Sequence, residues 1–111
     1  MTDLKSISCA ACEGLEDALT EKEIQLLKVQ LNEEWIIAFN KLSLSRKFNF
    51  KGFAKAAFTA NLAAFISDKE GHHADIAFGW GYCHVTFTSH ELGGLSKNDF
   101  ICAAKIDLAM Q

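Results

Sequence analysis

The period of the apolar positions changes along the chain, and each change marks an element. Residues 1–19 show no sustained period and read as an irregular lead-in. Thr20-Glu21-Lys22-Glu23 then has the form of a capping box, in which the threonine hydroxyl accepts from the third helical N–H and Glu23 reaches back. The helix it opens is predicted to run to about Leu31, with Ile24, Leu27 and Leu31 on one stripe. Trp35 to Phe39 is β-branched and aromatic, and after an Asn40-Lys41 turn Leu42, Leu44, Arg46, Phe48 and Phe50 share one parity, as in a hairpin with one mostly apolar face. From Phe53 the spacing becomes helical. Phe53, Ala57, Phe58, Leu62, Phe65 and Ile66 recur at three and four, which predicts the longest helix over residues 52–69, stopped by Gly71 and carrying much of the core. Asp75 to Phe78, the turn Gly79-Trp80-Gly81, and Tyr82 to Ser89 form a second hairpin, with Cys83, Val85 and Phe87 on the apolar side. Ser96-Lys97-Asn98-Asp99 caps a last helix to about Met110 that is expected to bury Phe100, Ala103, Ala104 and Leu108. The order α-β-β-α-β-β-α implies an α+β fold: a four-stranded antiparallel sheet with three helices packed on one face.

Composition narrows this picture. At 111 residues a single domain over 1–111 is expected, because two independent cores of that total size would each be marginal. Half of the residues are hydrophobic and 23% are charged, as in ordinary globular proteins, and there is no proline. The net charge is −3, and the densest basic stretch, Arg46 to Lys51, alternates with phenylalanines as a strand would, so no nucleic acid partner is expected. The longest apolar run, Trp35 to Phe39, is far below the roughly 20 residues that cross a bilayer. Met1 to Ser6 lacks the apolar segment of a secretory signal, so a cytoplasmic location is expected. The cysteines Cys9, Cys12, Cys83 and Cys102 are too scattered for a disulfide scaffold. Cys9 and Cys12 form a lone Cys-x-x-Cys, open to a metal or redox role or to being part of a small-residue segment docked on the body.

All four histidines, His72, His73, His84 and His90, fall between the end of the long helix and the loop before the last one. A shared metal ion is disfavoured for His72 and His73, because adjacent residues in extended chain point to opposite sides. Acid–base work suits imidazoles, whose unperturbed pKa of about 6.5 lets protons move both ways near neutrality. Solvated loop histidines are the third reading. No phosphate-binding loop, dinucleotide fingerprint, nucleophile elbow or His-Glu-x-x-His motif is present, and no nucleophile stands beside the histidines. Proton transfer without a covalent intermediate, as in additions or eliminations of water, fits best.

Three runs, Asp68-Lys69-Glu70-Gly71-His72-His73, Cys83-His84-Val85-Thr86-Phe87-Thr88-Ser89-His90-Glu91 and Gly94-Leu95-Ser96-Lys97-Asn98-Asp99-Phe100, resemble in order and spacing the signature of the pterin-4a-carbinolamine dehydratases. The similarity extends back through Leu44 to Phe53 and covers about Leu42 to Asp107. The resemblance implies the α+β fold already derived, usually as a homodimer or homotetramer. It also implies loss of water from 4a-hydroxytetrahydropterin to give quinonoid dihydropterin, which recycles the cofactor of aromatic amino acid hydroxylases. Neither a metal nor an organic cofactor is implied, the pterin being the substrate. By the same resemblance His72, His73, His90 and Asp99 are the candidate catalytic residues, and Asp68, Ala74, Ser89, Glu91 and Leu92 join the histidines in holding the pterin. His72 and His90 are expected as acid–base groups, His73 as an orienting group, Asp99 as the partner of His90 and Asp68 as a partner near the His-His pair. His84 matches no position of the signature and is expected on the polar face of its strand.

One position departs from the family pattern: Ala74 stands where a proline usually follows the paired histidines, which would leave the loop less stiff. Two other functions compete with the dehydratase: a non-enzymatic dimerisation or coactivator module on the same fold, which would be expected to lose the histidines, and metal binding by Cys9, Cys12 and a histidine.

Overall fold

The computed structural model describes residues 3–9, 18–89 and 92–111. Among them are α1 (Glu21–Lys28), β1 (Ile36–Ile37), β2 (Ser43–Asn49), α2 (Ala54–Glu70), β3 (Asp75–Gly79), β4 (Tyr82–Thr88) and α3 (Lys97–Ala109). The predicted order and the α+β class both hold. The strands form one antiparallel sheet in the order β1-β2-β4-β3, so the connection through α2 carries the chain to the far edge and β4 returns to the middle.

Local chemistry accounts for most element ends. The Thr20 hydroxyl accepts from the Glu23 N–H at 3.2 Å, while the Glu23 carboxylate accepts from the Thr20 N–H at 2.9 Å, the predicted capping box. Those bonds hold the Glu23 carboxyl below its usual pKa. The β1–β2 turn closes through Lys41, whose φ is 63°, with the Asn40 side chain accepting from the Leu42 N–H. β1 is shorter than the apolar run around it: only Ile36 and Ile37 pair, opposite Ser45 and Leu44. The described part of the lead-in contains a 3-10 turn, Leu4–Ser6, which buries Leu4 and draws the Leu4 N–H onto the Gln30 side chain at 2.9 Å.

The alternation along β4 places Cys83, Val85 and Phe87 inside and leaves Tyr82 and His84 exposed, as the parity predicts. α2 and α3 pack on that inner face, and Ile24 of α1 joins the same core as Leu44, Phe48, Phe100 and Ile106.

The sequence reading of α2 is corrected. Its buried stripe is Ala56, Thr59, Ala60, Ala63 and Ser67, whereas Phe58 and Phe65 are 65% and 66% exposed and Phe53 at its N-cap is 54% exposed. Both stripes repeat at three and four, and the apolar period alone does not choose between them. Small residues win because they let the helix backbone lie close to the sheet; the bulk of the core comes from the strands and α3.

The far end of the sheet is tied by Asp107 of α3. Its carboxylate accepts from Trp35 Nε1 at 2.7 Å, from Arg46 Nη1 at 2.9 Å and from the Asn32 N–H at 2.8 Å. The Arg46 guanidinium also lies 4.2 Å over the Phe48 ring.

The close approach of α2 leads to the expectation that Ala63→Leu destabilises the fold by about 1–3 kcal/mol through overpacking. Urea denaturation measures it, and an unchanged midpoint would contradict the assignment of this stripe to the interior.

Candidate active site

Gly71 ends α2 in the left-handed conformation, φ 68°, and the His72 N–H turns back to the Ser67 carbonyl at 3.1 Å. The chain leaves the helix sharply, so His72 is directed inward and its neighbour His73 outward.

His72 is 6% exposed, and its Nε2 lies 2.6 Å from Oδ1 of Asp99, which has no exposed surface. The second Asp99 oxygen accepts from the Ser89 hydroxyl and from the Ser96 N–H, both at 2.9 Å. Ser89 and Ser96 also share a hydrogen bond at 2.6 Å between their hydroxyls. The Ser96–Asp99 pairing is the reach-back half of a capping box, and the start of a helix favours a carboxylate. The His72 ring stacks on Phe87 with centroids 5.9 Å apart and planes 11° apart. Because a carboxylate only accepts, Nε2 carries the hydrogen of the His72–Asp99 bond. Nδ1 of His72 has no hydrogen-bond partner among the described residues.

The other predicted residues divide into groups. His73 Nε2 lies 3.3 Å from Asp68 Oδ1, and both side chains are exposed; the sequence reading put Asp68 near the His-His pair without choosing between the two histidines. Ala74 packs half-buried against the core. Ser89 is buried and turned toward Asp99 and Ser96. Leu92 is half-buried and its N–H returns to the Ser89 carbonyl at 3.0 Å. His90 and Glu91 lie outside the described residues, as does Cys12. The expected Asp99–His90 pairing therefore lies outside the described residues; among those described, the histidine on Asp99 is His72. A cleft of about 320 Å³ opens beside Ser89, lined by Asn40, Leu42, Ser43, Thr88, Gly93 and Gly94. Among the described residues no group of three or more His, Cys, Asp or Glu side chains could hold a metal ion.

Sequence reasoning missed two members of this network. Ser96 was legible only as a cap, although its hydroxyl also supports Ser89. Phe87 was legible as a core residue of β4, but not as the ring beneath His72.

A sequence profile described as pterin 4 alpha carbinolamine dehydratase matches residues 17–109. The chain belongs to that family. A protein of Legionella pneumophila (strain Lens), provisionally named as a pterin-4-alpha-carbinolamine dehydratase, is 44% identical over 106 residues, which cover 96% of this chain and 94% of the relative. One of Nitrosomonas eutropha with the same provisional name is 41% identical over 108 residues, 97% of this chain and 94% of the relative. A crystal structure of a transcriptional coactivator/pterin dehydratase from Brucella melitensis superposes with a TM-score of 0.75 at 26% identity, covering 83% of this chain and 97% of the other. The family signature and the buried network thus meet in the same residues: the second and third runs of the pterin dehydratase pattern supply Ser89 and Asp99, and the first supplies His72.

Removing the carboxylate would strand His72, Ser89 and the Ser96 N–H at once. Asp99→Ala is expected to cost about 3–5 kcal/mol of stability and Ser89→Ala about 1–3 kcal/mol, measured by chemical denaturation. Losses within experimental error for both would show that the network does not hold the site together.

Proposed function

We propose that this protein removes water from 4a-hydroxytetrahydropterin to give quinonoid dihydropterin, with histidine acid–base catalysis. The observation that carries the proposal is the buried His72–Asp99 pair at 2.6 Å, formed by residues of the family signature. The reaction breaks the C4a–O bond and the N5–H bond. The hydroxyl leaves as water after protonation, the N5 proton is lost, and no electrons enter or leave. Two proton transfers are all it needs, so the proposal includes no metal or organic cofactor.

In this proposal His72 exchanges a proton through Nδ1, while Asp99 holds Nε2–H and fixes the ring. His90 is the second acid–base group, a role that rests on the resemblance alone. His73, exposed and paired with Asp68, binds and orients the pterin together with the loop of Ser89, Glu91 and Leu92. Among the described residues no helix is long and apolar enough to cross a membrane, and the proposed partner is a small pterin rather than nucleic acid or lipid.

A second reading is a protein-binding role. The outward phenylalanines Phe58 and Phe65 of α2 favour it, as does the naming of the Brucella melitensis protein as a transcriptional coactivator as well as a pterin dehydratase. We place self-association into a homodimer or homotetramer on the same face, which would cover those rings. Size-exclusion chromatography with light scattering would return a monomer if this is mistaken.

Dehydration of chemically generated 4a-hydroxytetrahydropterin, followed by absorbance, tests the enzyme. Wild type is expected to accelerate it, and His72→Ala to lose about 10²–10⁴-fold of the rate while remaining folded by circular dichroism. No acceleration by wild type over buffer would end the dehydratase reading; equal rates would remove only His72 from the mechanism.

Ala74 offers a gentler test of the loop. Its N–H donates to no described residue, so Ala74→Pro removes no hydrogen bond among the described residues and is expected to add about 0.4–1 kcal/mol of stability. A lower unfolding midpoint would show that the loop at residue 74 is incompatible with proline.

A further inference from the structure

The lead-in and α3 meet through two sulfurs. Cys9 Sγ lies 3.6 Å from Cys102 Sγ, although the residues are 93 positions apart. Cys9 is held in place from several sides: its N–H donates to Glu70 Oε1 at 2.8 Å, and its thiol faces the Asn98 carbonyl at 3.7 Å. Glu70 is in turn paired with Lys105 of α3 at 3.6 Å, and Lys105 reaches the Lys5 carbonyl at 3.2 Å. Cys9 is partly exposed, whereas Cys102 is completely buried. The Cys102 thiol donates to the His72 carbonyl at 3.9 Å, so the pair stands beside the backbone of the buried histidine.

We propose that Cys9 and Cys102 are an oxidation-responsive pair that forms an intrachain disulfide when the protein meets a peroxide, fastening the lead-in to α3. The accessible sulfur reacts first. The Cys9 thiolate attacks one peroxide oxygen, the O–O bond breaks, and Cys9 becomes a sulfenic acid as the other oxygen leaves as water. The Cys102 sulfur then attacks the Cys9 sulfur and gives up its proton, and the sulfenic oxygen departs as a second water. Two thiols are oxidised by two electrons and one peroxide is reduced to two waters. The sulfurs close from contact to the roughly 2.05 Å of a disulfide, a movement of about 1.5 Å.

The environment divides the two roles. The hydrogen bond with Cys9, and then burial, push the Cys102 thiol up from its ordinary pKa, so Cys102 is unreactive toward solvent and waits for an oxidised partner. Cys83 is also buried, with its thiol raised by desolvation, and has no described cysteine beside it. Oxidation also alters the neighbouring histidine, because a disulfide sulfur has no hydrogen to donate to the His72 carbonyl.

This proposal does not depend on the dehydratase reading, and its test needs no activity assay. The full-length protein is reduced, freed of reductant, treated with hydrogen peroxide, quenched, alkylated in denaturant and digested. The expected result is a peptide joining Cys9 to Cys102, loss of two alkylatable thiols, and a Tm at least about 5 °C above that of the reduced form, because the bridge closes a very long loop. Reductant should reverse all three. Cys12→Ser is expected to form the same bridge, and Cys9→Ser, a change at a partly exposed position, is expected to fold but leave Cys102 alkylatable. A Cys9–Cys12 bridge, a bridge between two chains, or Cys9 driven to sulfinic acid with Cys102 still free would overturn the proposal.

Discussion

The structure is organised around a carboxylate that has been taken out of water. Asp99 has no exposed surface, and a buried charge is tolerated only where partners replace the lost solvent. Its two oxygens meet the connection after α2 through His72, the end of β4 through Ser89, and the start of α3 through Ser96. One charge therefore fixes three segments relative to one another. α3 cannot shift along the sheet, nor the α2–β3 connection move outward, without uncovering it. Part of that replacement of solvent comes from the helix start itself, where the Ser96 N–H points at the carboxylate.

That arrangement requires α2 to end close to the start of α3, and the composition of α2 makes this possible. Ala56, Ala60 and Ala63 let the helix lie near the sheet, and Gly71 then turns the chain toward Asp99. A helix seated on its phenylalanine stripe would stand farther from the sheet. The same choice leaves Phe58 and Phe65 outward, so the close packing of α2 and its exposed aromatic face share one cause.

What was legible in the sequence was local. The capping box at Thr20, the parity of β4 and the stop at Gly71 each depend on residues within a few positions, and each is found. The stripe of α2 was not legible, because alanine and phenylalanine are both apolar and the interior chose on size. The partner of Asp99 was not legible either. Among the described residues the contact runs to His72, 27 positions away, across a helix packing that spacing does not encode. The Cys9–Cys102 approach is a stronger case of the same limit: the Cys-x-x-Cys joins Cys9 to Cys12 in sequence, and even docking of that segment on the body does not name Cys102 as the residue it meets.

The two adjacent histidines show how differently the fold holds two neighbouring rings, a difference that bears on the proposed chemistry. His73 and Asp68 face solvent, where an ion pair is weak and the side chains remain free to reorient. His72 has no such freedom: Phe87 holds the plane of its ring, and Asp99 holds Nε2–H. An imidazole bound in that way keeps the same hydrogen bond whether neutral or protonated, because Nε2 is a donor in both forms. In the proposed mechanism a proton arriving at Nδ1 would leave again without unmaking the network on which α3 and β4 rest. Charging the ring strengthens its bond to the carboxylate, and discharging it leaves the bond in place. The group that anchors the fold thus engages Nε2 and leaves Nδ1 without a partner among the described residues.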